Sequence, residues 1–170
     1  MNLSELFLLQ EKLDDLIAEE RGLWGRDLLD KRILALRVEL GELANELPEV
    51  FKFWSHKKNN YEKALVEYID CLHFILSLGL EMNVSSCLEM EDRFKARKDI
   101  TSQFNEMFLS IGDFEVNVRM GNESAAIDQY NDMFLLFIIL GEMLGFTWEQ
   151  IEQTYFDKNK INHERQENGY

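Results

Sequence analysis

The sequence predicts an all-α protein, and three observations carry that prediction. Apolar residues recur at three- and four-residue spacing in segment after segment, and no stretch sustains period-two alternation. One proline and nine glycines among 170 residues leave long uninterrupted stretches rich in Leu, Glu, Ile, Met and Phe. Residues suited to helix caps stand where the periodic segments begin. A chain of this length fits a single domain spanning residues 1–170 with one sizeable core.

The first helix is expected over residues 4–21. Ser4 is placed to cap it, and Leu6, Leu9, Leu13 and Leu16/Ile17 form its apolar stripe, with Gln10 at the stripe's edge. Arg21-Gly-Leu-Trp-Gly25 reads as a loop. A second helix runs from Asp27 or Asp30 to Leu47, with Ile33, Leu36, Leu40, Leu43 and Leu47 inward; Pro48 interrupts it. The aromatic stretch Phe51-Lys-Phe-Trp54 and a polar loop, His56 to Asn60, follow. The third helix, about 60–82, carries Leu65, Ile69, Leu72/His73, Leu76 and Leu80, and Asn83 suits a left-handed stop. Ser85 is placed to cap a fourth helix reaching Lys98. A fifth (about 100–119) and a sixth (about 122–144, ending at Gly145) come next. Thr147-Trp-Glu-Gln150 matches a capping box and opens the last, giving six to seven helices.

One internal echo stands out. Leu78-Gly79 followed by Asn83-Val-Ser85 resembles Leu140-Gly141 followed by Gly145-Phe-Thr147. In that register Asp70 falls on Asp132 and Glu67 on Gln129. Two readings stay open: a decayed tandem repeat that has lost acidic residues, or two junctions alike only because capping rules make them so.

The formal net charge is −14. That argues against a broad nucleic-acid footprint or adhesion to anionic membrane, and a polyphosphate ligand would need cations to approach. Cys71 and Cys87 make neither a disulfide framework nor a CxxC metal site, so a reduced, cytoplasmic setting is expected. The N-terminus lacks a basic signal region. The longest apolar run, Met133 to Leu140, has eight residues, against the ~20 a membrane span needs.

The chemistry concentrates in two acidic pairs, Glu39-Leu-Gly-Glu42 and Glu67-Tyr-Ile-Asp70, 24 residues apart. Residues three apart share a helix face, so each pair presents two carboxylates side by side on an apolar segment. A lone pair of this kind signifies only solvated charge; two pairs joined by a turn-length spacer are far more specific. Two such charges ~6 Å apart at an effective dielectric of ~20 repel by roughly 3 kcal/mol, so four need a compensating cation. A hard, oxygen-seeking metal fits, and Mg²⁺ is the usual choice with a phosphorylated substrate.

Other residues carry two readings each. Asp70-x-x-His73 suggests a di-iron element, but that site needs the motif from two helices and only one is present; His73 is better read as a buried residue hydrogen-bonding nearby. Trp54, with Phe51 and Phe53, either closes the core after Pro48 or walls a nucleobase. Gln10, if buried, needs partners; its amide suits a neighbouring loop or a base edge equally. Lys158, Asn162 and Arg165 share a face of the last helix, a polar tail or a phosphate clamp.

The acidic pattern resembles that of the all-α NTP pyrophosphatase (MazG-like) superfamily. Phe51-Lys-Phe-Trp-Ser55, Asp70-x-x-His73-Phe74 and the tail Lys158-Asn159-x-x-Asn162-x-x-Arg165-Gln166-x-x-Gly169-Tyr170 narrow this to a resemblance to the dimeric dUTPases. The resemblance implies a helical bundle that hydrolyses dUTP to dUMP and pyrophosphate with Mg²⁺. It implies Glu39, Glu42, Glu67 and Asp70 as metal ligands, Gln10 reading uracil and Trp54 walling it. His73 and Phe74 would lie near the deoxyribose, and Lys158, Asn162, Arg165 and Tyr170 near the phosphates. Glu42, with Glu39 beside it, would accept the proton of the attacking water. Homodimers with composite sites are implied too. The chain departs from the pattern where no Leu-Asn follows Gln10 around Asp14. A MazG-like pyrophosphatase for another nucleotide such as dCTP, and a non-catalytic helical dimer, are the competing readings.

Overall fold

The computed structural model describes residues 3–84 and 96–169. Among the described residues there are seven helices and no strand: α1 (Leu3–Arg21), α2 (Leu29–Glu46), α3 (Pro48–Phe51), α4 (Tyr61–Glu81), α5 (Ile100–Arg119), α6 (Glu123–Met143) and α7 (Trp148–Glu167). The expected spans hold to within a residue or two. The helix expected from Ser85 to Lys98 lies mostly outside the described residues, and 96–99 are not helical. Ser4 sits inside α1 and does not cap it. Pro48 ends α2 and then opens the short α3 as its first residue, where its missing N–H costs nothing.

Side-chain chemistry sets several boundaries. Asn60 Oδ1 accepts from Lys63 N at the start of α4, and Asp99 Oδ1 from Ser102 N at the start of α5. Thr147 and Gln150 form the reciprocal capping box of α7. Asn83, in the left-handed region at φ 56°, turns the chain out of α4.

α4 is the centre of the molecule. It packs against α1, α2, α6 and α7, while α5 packs against α6 and reaches α2 and α3. Ile33, Leu36, Leu40, Leu43 and Leu47 are all buried, as their spacing predicts.

α4 and α6 meet through a reciprocal lock. The Tyr68 hydroxyl donates to the Phe137 carbonyl (3.2 Å) and lies against Gly141; the Tyr130 hydroxyl donates to the Ile75 carbonyl (3.0 Å) and lies against Gly79. A Cβ on either glycine would collide with the tyrosine facing it. Adding 62 to each residue number carries Tyr61–Glu81 onto Glu123–Met143, Tyr68 onto Tyr130, Ile75 onto Phe137 and Gly79 onto Gly141. The register of the sequence echo is thus the register of the packing, which capping rules alone do not require.

Candidate active site

The α2–α4 seam places the acidic residues. Leu36, Leu40 and Leu43 bury one side of α2, and Tyr68, Ile69, Cys71 and Leu72 bury one side of α4. Glu39, Glu67 and Asp70 sit at the edge of that interface, half-buried, each with a carboxylate oxygen within 4.8 Å of the others. Glu42, one turn on from Glu39, is exposed at the rim. Crowding shows in the proton affinities. Burial first, then the charges of Asp70, Glu42 and Glu67, push the Glu39 carboxyl up to about 7. Glu67 is raised by burial and then by Asp70 and Glu42. A cation already serves the cluster, for the Lys158 ammonium from α7 lies 2.6 Å from Asp70.

A cavity of about 420 Å³ opens beside these residues. Glu39, Asp70 and Lys158 stand at one end, and Asp14, Arg32 and Ser77 also line it. Asp70, His73 and Ser77 lie along one side of α4, so the wall from Asp70 to Ser77 is roughly 10 Å long at ~1.5 Å per residue. That length suits a nucleotide with its phosphates at the acidic end.

The inner wall is a closed hydrogen-bond network. Gln10 Nε2 donates to Asp14 Oδ1 (2.8 Å) and to Ser77 Oγ (3.1 Å). Ser77 in turn donates to Asp14 Oδ1 (2.9 Å). Gln10 Oε1 accepts from the Tyr155 hydroxyl (3.0 Å) and from His73 Nδ1 (2.7 Å). His73 stacks on Tyr155 with ring centroids 4.4 Å apart. Burial, then the Lys158 charge, lowers its proton affinity to about 3, so it is neutral at any physiological pH. Asp14 is raised by burial, opposed by its bonds to Gln10 and Ser77 and by the Arg32 charge.

The dUTPase family model matches residues 2–170, nearly the whole chain. The chain belongs to the dUTPase family. Its activity is accordingly the hydrolysis of dUTP to dUMP and pyrophosphate, and its carboxylate trio can hold a divalent metal. Among curated proteins, no sequence matches it.

Set against this dUTPase structure, most expected site residues come together. Gln10, Glu39, Asp70, His73, Phe74, Lys158, Asn162 and Arg165 line the one cavity, with Glu67 beside Asp70. Gln10 is inside the wall, its four hydrogen-bonding positions all taken by protein. Trp54 does not line the cavity. It is 66% exposed on the loop after α3, edge-on to Phe51 and to a 94% exposed Phe53, so this stretch does not close the core. Tyr170 lies outside the described residues. The residues that sequence reasoning missed are Asp14, Arg32, Ser77 and Tyr155. A signal existed for two: Asp14 follows Gln10 by four on α1, and Ser77 follows His73 by four on an otherwise apolar helix. Arg32 had none.

Proposed function

We propose that this dUTPase works with Mg²⁺ held by Glu39, Glu67 and Asp70, with Glu42 at the rim, and that it acts as a homodimer in the cytoplasm. The observation that carries the metal reading is the converged carboxylate trio, with Glu39 raised to about 7 by burial first and then by its acidic neighbours. The donor set is all hard oxygen, which suits Mg²⁺, and Lys158 shows that the place attracts a cation. A divalent ion bound there would neutralise phosphate charge and make a water more acidic. Glu42, the most solvent-accessible of the four acids, would accept the proton released there. Lys158, Asn162 and Arg165 hold the phosphates from α7, and Phe74 packs against the sugar, where a ribose 2′-hydroxyl would crowd it.

Dimerisation is supported by exposed apolar side chains. Phe53 and Trp54 project from the loop after α3, and Leu34 and Val38 on α2 and Leu109 and Val116 on α5 are also exposed. The buried free thiol of Cys71 suits a reducing compartment.

Turnover of a deoxynucleotide panel by malachite-green detection with coupled pyrophosphatase tests this reading. dUTP should be preferred, and EDTA or Glu39→Gln should abolish its hydrolysis. Mg²⁺ should raise the melting temperature of wild type by mass action, and raise it less in Asp70→Asn. Equal shifts would remove Asp70 from the ligand set, a preference for dCTP would remove the uracil reading, and a monomeric mass by light scattering would remove the dimer.

A further inference from the structure

The network behind the cavity has a direction, and Asp14 sets it. The Asp14 oxygen that receives both Ser77 Oγ and Gln10 Nε2 is an acceptor, so the Gln10 amide must turn its nitrogen toward Asp14 and its oxygen toward Tyr155 and His73. An amide oxygen only accepts. The 2.7 Å contact with His73 Nδ1 therefore carries the proton on Nδ1. A neutral imidazole has one proton, which leaves His73 Nε2 a bare acceptor. That atom is buried without a protein partner, on a residue 6% exposed that lines the cavity. An unsatisfied buried acceptor is costly, and a bound donor relieves the cost.

We propose that Asp14 is a positioning residue that acts through Gln10 to fix His73 in the Nδ1–H tautomer, so that the bare Nε2 accepts a hydrogen bond from the nucleoside half of the substrate. The proposal rests on the dUTPase reading for the identity of that substrate. Two groups of deoxyuridine have the required chemistry, the imide N3–H and the sugar 3′-hydroxyl. Cytosine offers an acceptor at N3, so an imide contact would also discriminate against it. The Asp14 carboxylate offers only acceptor oxygens. An asparagine there could present either its nitrogen or its oxygen to Gln10; the carboxylate removes that freedom.

Long-range ¹H–¹⁵N spectra of the metal-free protein read the His73 tautomer without any turnover. Wild type should show the Nδ1–H form. Asp14→Ala should lose that preference, and Asp14→Asn, which retains an acceptor oxygen, should restore much of it. In steady-state kinetics the wild-type KM should rise roughly tenfold or more when the critical donor is removed, and that of Asp14→Ala much less, with kcat changed little in either. A penalty confined to the 2′,3′-dideoxy analogue assigns the contact to the sugar, and one confined to N3-methyl-dUTP assigns it to the base. An Nε2–H tautomer in wild type overturns the proposal even if Asp14→Ala fails to fold, as does an unchanged spectrum in a folded Asp14→Ala. Equal analogue penalties in the two proteins overturn it too. An Nδ1–H tautomer in a protein that hydrolyses no dUTP would support the relay and count against the activity instead.

Discussion

The hairpin of α2 and α4 and the hairpin of α5 and α6 share a register in their second helices, α4 and α6, and differ in where their acidic residues sit. Each contributes a tyrosine and a glycine to the reciprocal lock, at positions 62 apart. In the first hairpin, Glu67 and Asp70 meet Glu39 within 4.8 Å. In the second, Gln129 and Asp132 line a shallow cavity of about 270 Å³ with Glu106, Ser110 and Asp113. Among the described residues, Glu39, Glu67 and Asp70 form the only such converged acidic trio. The lock holds both hairpins without the carboxylates. The crowded acids of the first raise its electrostatic cost, which the Lys158–Asp70 ion pair partly offsets.

Making the first hairpin like the second should have the largest effect. Glu67→Gln reproduces the residue found at position 129, and dUTP turnover should fall by about a thousandfold, close to 4 kcal/mol of transition-state stabilisation. The metal-free melting temperature should hold or rise, since one repelling charge is gone. Asp132→Asn, at the position equivalent to Asp70, should leave turnover within about twofold. Steady-state rates and thermal melts of both variants measure this, and a large loss in Asp132→Asn would mean that the second hairpin still takes part in the reaction.

The lock itself gives the next largest effect. Gly79→Ala and Gly141→Ala each force a methyl into the facing tyrosine, and overpacking of this kind costs about 1–3 kcal/mol. Urea midpoints should fall by similar amounts in both, because the contacts are reciprocal. Gly41→Ala, in α2 with open space where its Cβ would go, should instead gain about 0.5–1 kcal/mol from better helix propensity. A cost at only one of the two locking glycines would break the equivalence of the hairpins.

Much of this was legible in the chain. The spacing of Ile33, Leu36, Leu40 and Leu43 gave the buried face of α2, and Asn60, Thr147 and Asn83 marked helix ends through local chemistry. Three-residue spacing on two segments pointed to four converging carboxylates, of which Glu39, Glu67 and Asp70 meet while Glu42 stays at the exposed rim; the shared face of Lys158, Asn162 and Arg165 pointed to the cavity they line. What local patterns could not supply was how three distant helices abut. Asp14 on α1, Ser77 on α4 and Tyr155 on α7 meet only because those helices pack together, and that packing uses up the Gln10 amide. Trp54 shows the same limit from the other side: an aromatic run after a proline looks like core, but nothing in its spacing says which way the loop turns.

The smallest expected effect separates the hairpins by the sign of a pH dependence. In the unfolded chain Glu39 loses its proton near 4.5, whereas in the folded, metal-free protein it keeps it to about 7. Across that window the folded state binds more protons than the unfolded state, so stability falls as pH rises; the relative advantage held below 4.5 is lost once pH passes 7. Glu115 on α5 behaves oppositely. Its bond to Arg37 lowers its proton affinity, so its contribution is present above 4.5 and is lost as pH falls through its lowered folded value. Glu39 is only partly buried, and solvent screening keeps its slope shallow. Urea midpoints of metal-free protein between pH 5 and pH 8 should therefore decline gently in wild type and be flatter in Glu39→Gln. Glu115→Gln should leave the decline in place while lowering every midpoint. Saturating Mg²⁺ should reverse the decline, because an ion binds the deprotonated carboxylates and competes with the proton. A decline that survives both Glu39→Gln and Mg²⁺ would move its source away from the α2–α4 seam.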